Sequence, residues 1–163
     1  MKFSAKIIAL TLVALGAVSF TYQGAPTEEL AWQNWNDGYN LVKKEGKIGL
    51  IDVYTDWCGW CKRMDRDTYA KKEIIDKVNK NFVPIKFNPE KQGVYYIDST
   101  AYSGPQLYAM LSNSKSTGYP TTFFLIPKGD VMHVRSIAGY QAAETFSSSL
   151  DKIMQYAAEL PER

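Results

Sequence analysis

The spacing of apolar residues along the chain predicts an alternation of helices and strands. Apolar residues recur at helical spacing from Trp35 to Val42, and Gly46 ends that predicted helix. The run 48–54 is apolar on both faces apart from Asp52, which is typical of a central strand of a parallel sheet. The chain therefore begins its ordered part with a helix and a buried strand.

The next segments continue this alternation. A helix is predicted to begin at the cysteines and to run to about Met64 or beyond, and a second helical piece covers 71–81. The run 82–87 is predicted to be a strand, in which Pro84 indicates an edge or a bulge. The pattern is weakest over 88–118, where we expect one short helix at about 106–113.

The last part of the chain predicts a hairpin followed by a long helix. Strands at 121–126 and 131–137 flank a turn at 127–130, and a helix covers about 141–160. The apolar stripe of this helix consists of Ala143, Phe146, Leu150, Ile153 and Ala157.

The chain has two cysteines, Cys58 and Cys61, and they follow directly after the predicted central strand. Open α/β folds place their chemistry at the carboxyl ends of such strands. A Cys-x-x-Cys pair at the start of a helix can cycle between dithiol and disulfide, because helix N-terminal amides and nearby cations favour the nucleophilic thiolate. The spacing therefore predicts a redox-active dithiol.

Three other uses of this spacing are less well supported. A structural zinc site needs four Cys or His ligands, and the chain has one histidine, His133, far from the pair. A c-type haem attachment needs His after the second cysteine, where Lys62 stands. An inert structural disulfide remains open, although so short a loop adds only about 2 kcal/mol or less.

The first 19 residues have the pattern of a secretory signal peptide. Lys2 and Lys6 give a positive start, an apolar run follows, and Ala17 and Ser19 are small residues suited to cleavage after Ser19. The run is short for a membrane span, and an uncleaved anchor is the alternative. Export would place the cysteines in a compartment that permits disulfides, the periplasm or the extracellular space.

Removal of 1–19 leaves enough chain for one domain with a hydrophobic core. We expect 20–33 to be an N-terminal lead-in and 34–163 to form this domain. The chain has 19 Lys and Arg, two of them in the leader, so the remainder balances its 17 Asp and Glu. Such a near-neutral surface argues against a nucleic-acid partner, which would require a basic patch.

The order of the elements, with the motifs "TDWCGWCK" and "GYPTTFFL", resembles the thioredoxin superfamily over roughly 34–160. The run "KRMDRDTYAKKEIIDKVNKNFVPIKFN" is similar to exported bacterial thioredoxin-like proteins and to the C-terminal domain of DsbD-type proteins. The resemblance implies an α/β thioredoxin fold. In that fold a central mixed β-sheet is flanked by helices, here with an inserted segment before the cis-proline loop.

The resemblance also assigns roles around the dithiol. Cys58 would be the exposed attacking thiol and Cys61 the buried resolving thiol. Asp52 matches a buried carboxylate, whose pKa is raised by desolvation so that it can accept the proton of Cys61. An edge acid that faces solvent is the alternative for Asp52. Lys86 matches a lysine near that carboxylate, or is an ordinary surface lysine.

A predicted substrate-binding surface surrounds these groups. Pro120 matches the cis-proline that faces the disulfide, with a plain turn proline as the alternative. The backbone edge at Tyr119 is expected to pair with an extended substrate chain. Trp57 matches the tryptophan that precedes the first cysteine. Gly59 and Trp60 separate the cysteines, and Trp60 either offers a protein partner an apolar contact or caps the helix.

These assignments predict an exported thiol–disulfide oxidoreductase. The Cys58 thiolate would attack a disulfide of a protein or peptide substrate, and Cys61 would release the reduced product, with no metal or organic cofactor. A reductase of this kind needs a membrane electron donor, and we expect a monomer. The alternatives are a disulfide oxidase or isomerase, a non-catalytic module that holds a partner near Pro120, and a copper-handling protein.

Overall fold

The computed structural model describes residues 29–115 and 117–161. The predicted signal peptide at 1–19 and most of the lead-in at 20–33 lie outside the described residues. In chain order the elements are α1 (Trp35–Glu45), β1 (Ile48–Val53), α2 (Gly59–Met64), a π-helical turn (Asp65–Tyr69), α3 (Lys72–Asn81), β2 (Phe82–Phe87), β3 (Tyr95–Ile97), β4 (Thr100–Tyr102), α4 (Gly104–Leu111), β5 (Thr121–Lys128), β6 (Val131–Ala138) and α5 (Ala143–Glu159).

Strand β1 lies inside the main sheet, as its apolar sequence predicts. Within the described residues this sheet has the order β2-β1-β5-β6, and β3 pairs with β4 in a separate two-stranded sheet. β1 runs parallel to β2 and antiparallel to β5, so the sheet is mixed. The predicted α/β architecture, a mixed sheet flanked by helices, is confirmed.

Helices cover both faces of the sheet because each face carries an apolar layer. One layer joins the sheet to the π-helical turn, α3 and α5, and its fully buried members include Leu50, Ile74, Phe124, Phe146 and Leu150. The other layer joins the sheet to α1 and α4, and its members include Trp35, Val42, Ile51, Ile85, Leu107 and Phe123. Asp52 and Lys86 lie among the apolar residues of the first layer's strands.

Strand β2 is an edge strand of this sheet, as Pro84 predicts. The outer side of β2 meets an isolated bridge at Gln33, whose N–H donates to the Pro84 carbonyl at 2.8 Å. In a parallel pair the N and C=O of one residue point to the same side, so the missing N–H of Pro84 faces away from β1. The β1–β2 ladder is therefore intact.

Local signals account for the ends of α1 and of the hairpin. The Asn34 side chain accepts a hydrogen bond from the Asp37 N–H at 3.1 Å and caps α1, which ends at the left-handed Gly46. The hairpin turn is shorter than the predicted 127–130, because Lys128 pairs with Val131 and only two residues lie between the strands. β5 continues to Lys128 because Gly129, with a φ of 56°, allows a two-residue turn between the strands.

The segment 88–118 is more ordered than the sequence predicts. Helix α4 begins two residues earlier than expected, because Ser103 and Gln106 form a capping box and Pro105 occupies the first turn. The short strands β3 and β4 were not predicted, since each has three residues and little buried surface. The indole N–H of Trp35 ties this inserted segment to α1 by donating to the Tyr96 carbonyl at 2.9 Å.

Helix α5 closes the layer on the side of the dithiol. Its stripe is buried at Phe146, Leu150 and Ile153, and Ala143 and Ala157 pack against the same core, as predicted. No helix in the described ranges is long and apolar enough to cross a membrane.

Candidate active site

The two cysteines form a disulfide at the start of α2. The S–S distance is 2.09 Å, and Cys58 is the N-cap residue of the helix. The N–H of Cys61 donates to Cys58 Sγ at 3.1 Å. This backbone donor is placed to stabilise negative charge on Cys58 Sγ when the disulfide is reduced.

Cys58 is less accessible than expected from the resemblance. In this disulfide-bonded state Cys58 is 4% exposed and Cys61 is 3% exposed. The reason is that the disulfide bond holds Cys58 Sγ against the N-terminal turn of α2, whereas a free thiol at an N-cap can rotate outward. The expected difference in exposure between the two cysteine residues is therefore not found in the oxidised form.

Asp52 lies on the central strand β1, on the face of the sheet that meets the π-helical turn. It is 2% exposed, so the solvent-facing alternative is wrong. The register of β1 places Asp52 opposite Lys86 of β2 and opposite Thr122 of β5. Lys86 Nζ donates to Asp52 Oδ2 at 2.6 Å, and this ion pair satisfies one oxygen of the buried carboxyl.

Lys86 is a half-buried partner of Asp52 rather than an ordinary surface lysine. Its Nζ also donates to the Asp65 carboxylate on the π-helical turn. Three aromatic rings surround the ammonium, and the distances from Nζ to their centroids are 4.6 Å for Trp32, 5.2 Å for Tyr54 and 5.4 Å for Tyr69. Lys86 thus holds two carboxylates and sits in an aromatic cage.

Burial decides the direction of the Asp52 pKa. Desolvation raises the pKa of Asp52, the charge and hydrogen bond of Lys86 lower it, and the nearby charge of Asp65 raises it again, with a net rise. Burial of Lys86 acts against its charged form, but Asp52 and Asp65 together raise the pKa of Lys86 above its usual value. A carboxyl with raised proton affinity is suited to accept a proton from a neighbouring thiol.

A cleft leads from solvent to the Lys86 side of this pair. Its volume is about 410 Å³, large enough for several water molecules. Lys86, Asp65 and Tyr69 form its inner wall, and Trp32 and Leu30 contribute its apolar part. The cleft therefore brings solvent to Lys86 and Asp65, whereas Asp52 does not line it.

Sequence reasoning missed Asp65, Tyr69 and Thr122. The Tyr69 hydroxyl donates to Asp52 Oδ1 at 3.4 Å and lies 3.2 Å from Thr122 Oγ1. Cys61, Asp65 and Tyr69 follow one another at four-residue spacing, which places them on one side of a helical run, so this spacing is a signal that could have identified two of them. Thr122 carries no such signal, because only the strand register brings it to Asp52.

An aromatic surface flanks the disulfide on the side of Tyr119. The Tyr119–Pro120 peptide bond is cis. Trp57 is 67% exposed, and its ring packs edge-on against Tyr119 with the centroids 5.7 Å apart. Its indole N–H donates to the Glu90 carboxylate at 2.9 Å, and Tyr108 of α4 stacks on Tyr119 at 5.7 Å.

A second aromatic surface lies around Trp60, which is 54% exposed. The Arg63 guanidinium lies between the rings of Trp60 and Tyr140, at 5.1 and 5.2 Å from their centroids. Trp60 does not cap the helix, because Cys58 occupies the N-cap. Gly59 leaves open space, since a Cβ atom there would meet nothing within 4 Å.

His133 is not part of this site. It lies on the edge strand β6 and, with Leu160 and Pro161, lines a cleft on that side of the sheet. In the described part of the chain, no group of three or more His, Cys, Asp and Glu side chains could hold a metal ion.

The mixed sheet, the disulfide at the start of α2 and the cis-proline before β5 define a thioredoxin-like protein. The Thioredox_DsbH family model, described as "Protein of unknown function, DUF255", matches residues 18–161. The chain belongs to this family.

Two solved structures and one relative agree with this class. Thioredoxin from Thermus thermophilus has a TM-score of 0.65 at 17% identity, covering 79% of this chain and 90% of the thioredoxin. The oxidised C-terminal domain of DsbD from Neisseria meningitidis has a TM-score of 0.50 at 20% identity, covering 71% and 89% respectively. These likenesses confirm the predicted thioredoxin fold.

The relative is the thiol:disulfide interchange protein DsbD of Escherichia coli strain K12. It is 27% identical over 110 residues, which make up 68% of this chain and 17% of DsbD. This chain therefore spans about one sixth of the length of that relative. The predicted resemblance to DsbD-type proteins is confirmed, and family, fold and disulfide together support thiol–disulfide oxidoreductase chemistry.

We expect Asp52→Asn to increase the free energy of unfolding at neutral pH. The folded-state pKa of Asp52 is raised above its unfolded value. The stability that Asp52 gains by binding its proton more tightly in the folded protein is complete below the unfolded pKa and is lost as pH rises through the folded pKa. The gain in the variant should therefore grow with pH. Urea unfolding of both oxidised proteins between pH 4 and pH 8 measures it.

Asp67→Asn is the matched control for this prediction. Although burial acts in the opposite direction, Arg63 and Arg66 hold the pKa of Asp67 below its usual value. Its contribution is present above the unfolded pKa, so this variant should gain no stability as pH rises. A gain for Asp52→Asn that is absent at pH 7, or that shrinks with rising pH, would contradict the expectation.

Proposed function

We propose that this protein is an exported thiol–disulfide oxidoreductase that reduces disulfides in proteins or peptides. The observation that carries the proposal is the Cys58–Cys61 disulfide at the start of α2. A disulfide that closes so short a loop adds little stability, whereas its position fits exchange with another disulfide.

In the first step the reduced protein attacks its substrate. The Cys58 thiolate attacks one sulfur of the substrate disulfide, a new S–S bond forms, and the other substrate sulfur leaves as a thiolate that takes a proton from water. The N–H of Cys61 stabilises the Cys58 thiolate before the attack, as it contacts Cys58 Sγ at 3.1 Å in the oxidised form.

In the second step the mixed disulfide is resolved. Asp52 accepts the proton of the Cys61 thiol, and the resulting thiolate attacks Cys58 Sγ. The Cys58–Cys61 bond forms, and the substrate leaves with both sulfurs reduced. The protein loses two electrons in the cycle, and Asp52 returns its proton to solvent through the network of Lys86 and Asp65.

The exposed aromatic surface supports a protein or peptide as substrate. Trp57 and Trp60 are the most exposed large apolar side chains next to the disulfide, at 67% and 54%. Exposed aromatic residues of this kind anchor protein interfaces. We propose that a substrate chain lies along Trp57, Gly59, Trp60 and the backbone at Tyr119 and Pro120.

The direction of electron flow is also part of the proposal. An exported reductase consumes two electrons in each cycle, so a membrane electron donor must reduce Cys58–Cys61 again. The similarity to a thiol:disulfide interchange protein supports exchange chemistry, and the reducing direction is our proposal. We propose that the protein acts as a monomer, with its domain at 34–163.

Export is expected to remove the leader. The pattern of Lys2, Lys6, the apolar run and the small residues Ala17 and Ser19 predicts a mature protein that begins at Phe20. N-terminal sequencing of the protein from the periplasm of an expressing bacterium tests this. Protein that stays in the membrane fraction and keeps Met1 or Lys2 would indicate an uncleaved anchor.

The variant Cys61→Ser should trap a mixed disulfide through Cys58. The first step remains, but the resolving thiol is missing, so a covalent adduct with a disulfide substrate such as insulin should accumulate. Turnover should fall by about three orders of magnitude or more. Non-reducing electrophoresis followed by mass spectrometry detects the adduct and its position.

Cys58→Ser is the control, since it should lose turnover and form no adduct. A non-catalytic binding module would behave differently: partner binding would survive Cys58→Ser, and Cys61→Ser would trap nothing. That result would sink the exchange mechanism.

The reduction potential of Cys58–Cys61 decides the direction. A reductase is expected at about −250 mV or lower, and an oxidase or isomerase at about −150 mV or higher. Equilibration of the mature protein with dithiothreitol or glutathione buffers of known ratio measures this value. A potential at the oxidising end would overturn the reductase assignment while leaving the exchange chemistry intact.

A further inference from the structure

Both oxygens of the Asp52 carboxyl have a hydrogen-bonding partner, although accepting a proton from a thiol does not require this. Lys86 occupies Oδ2, at 2.6 Å, and Tyr69 of the π-helical turn reaches Oδ1 at 3.4 Å. Tyr69 is 4% exposed and packs edge-on between Trp32 and Phe146, with centroid distances of 5.1 and 5.4 Å. The ring is thus fixed by packing, and its hydroxyl is fixed at the carboxyl.

The Tyr69 hydroxyl has one proton and two partners. It can donate to Asp52 Oδ1, or it can donate to Thr122 Oγ1, which lies 3.2 Å away. Asp52, Tyr69 and Thr122 thus form a row of hydrogen-bonding groups. A phenol and a threonine hydroxyl can each donate and accept, so the direction of the hydrogen bonds along this row can reverse. Asp52 and Thr122 are direct partners in the β1–β5 register, which holds both ends of the row in place.

We propose that Tyr69 and Thr122 form a reversible hydrogen-bond relay that satisfies Asp52 in both of its protonation states. With Asp52 ionised, Thr122 donates to Tyr69 and Tyr69 donates to the carboxylate. With Asp52 protonated on Oδ1, the acid donates to the Tyr69 oxygen and Tyr69 donates to Thr122. Neither state leaves a buried polar atom of the row without a partner, which would be costly.

Tyr69 is a positioning residue in this relay, because it acts on the reacting sulfurs only through Asp52. The charged and titratable groups that face Asp52 are Lys86 from β2, and Asp65 and Tyr69 from the π-helical turn. Lys86 keeps its hydrogen bond to Oδ2 in either state. The change of protonation is therefore accommodated at Oδ1, where hydroxyl rotation is sufficient.

The relay also reaches the strand that follows the cis-proline. Thr122 is two residues beyond Pro120 on β5, and Thr121 between them donates to the Gly118 carbonyl at 2.9 Å. Thr122, at the far end of the relay from Asp52, and the loop proposed to meet the substrate thus share one continuous stretch of backbone. The role of the relay in disulfide exchange rests on the proposed function, whereas its effect on the protonation of Asp52 does not.

Carbon-13 NMR of the Asp52 carboxyl tests the relay in the full-length oxidised protein, in which the cysteines do not titrate. Tyr69→Phe removes one oxygen and keeps the packed ring. The proton affinity of Asp52 should then rise by about threefold to tenfold, because the ionised form loses a charge-assisted hydrogen bond, which is stronger than the neutral bond that the protonated form loses. Thr122→Val removes the alternative acceptor that the protonated form uses, so its titration should move to lower pH.

Tyr95→Phe is the matched control. It also removes a tyrosine hydroxyl, one that donates to the Lys91 carbonyl at 3.3 Å, and it keeps a ring that packs on Phe87 at 5.0 Å. The Asp52 titration should not move in this variant. An unchanged titration in Tyr69→Phe or in Thr122→Val, or an equal shift in Tyr95→Phe, would overturn the relay.

The unmodified protein offers a test that does not depend on the folding of any variant. The Tyr69 Cζ resonance should change with the same midpoint as the Asp52 carboxyl, since the bonds of its hydroxyl reverse. A Tyr69 signal that stays constant through that titration would overturn the relay.

Exchange kinetics then separate the relay from the proposed function. Tyr69→Phe should shift the pH profile of insulin reduction to higher pH, and it should have no further effect in the Asp52→Asn background. Absence of insulin reduction by the wild-type protein would contradict the proposed function and leave the titration result standing.

Discussion

The pairing of Asp52 with Lys86 across the β1–β2 ladder is the interaction on which the site depends. A carboxyl at the centre of an apolar sheet is unfavourable in its ionised form unless a cation and hydrogen-bond donors face it. The parallel register supplies the cation, and the antiparallel register on the other side supplies Thr122. The sheet thereby holds the proposed proton acceptor buried on its central strand.

One helical run connects this acceptor to the disulfide. It begins with Cys58 as N-cap of α2 and continues through the π-helical turn to Tyr69. Asp65 and Tyr69 reach the Lys86–Asp52 pair from this run, while Cys61 remains tied to Cys58 at its start. A single helical run packed on the sheet therefore carries both the disulfide and two of the side chains that contact the Lys86–Asp52 pair.

The inserted segment gives this thioredoxin-like fold its own surface beside the disulfide. Glu90 orients the indole of Trp57, and Tyr108 of α4 stacks on Tyr119 next to the cis-proline. Folds of this kind serve many partners, and the side chains around the site select among them. The hydrophobic sheet and helices fix where the dithiol lies, and the insertion shapes what a partner meets there.

The sequence by itself determined the elements whose signals are local. Helical and strand periods located α1, α3, α5 and the central strand, the cysteine spacing identified the dithiol, and two motifs indicated the superfamily. Only the tertiary structure decided which side chains meet Asp52. Tyr69 lies 17 residues from Asp52 in the sequence, and Thr122 lies 53 residues from Tyr69. The tertiary structure also decided the pairing of β3 with β4 and the burial of Cys58. The physical reason is that periodicity reports burial within one element, whereas contacts between elements depend on strand register and helix packing.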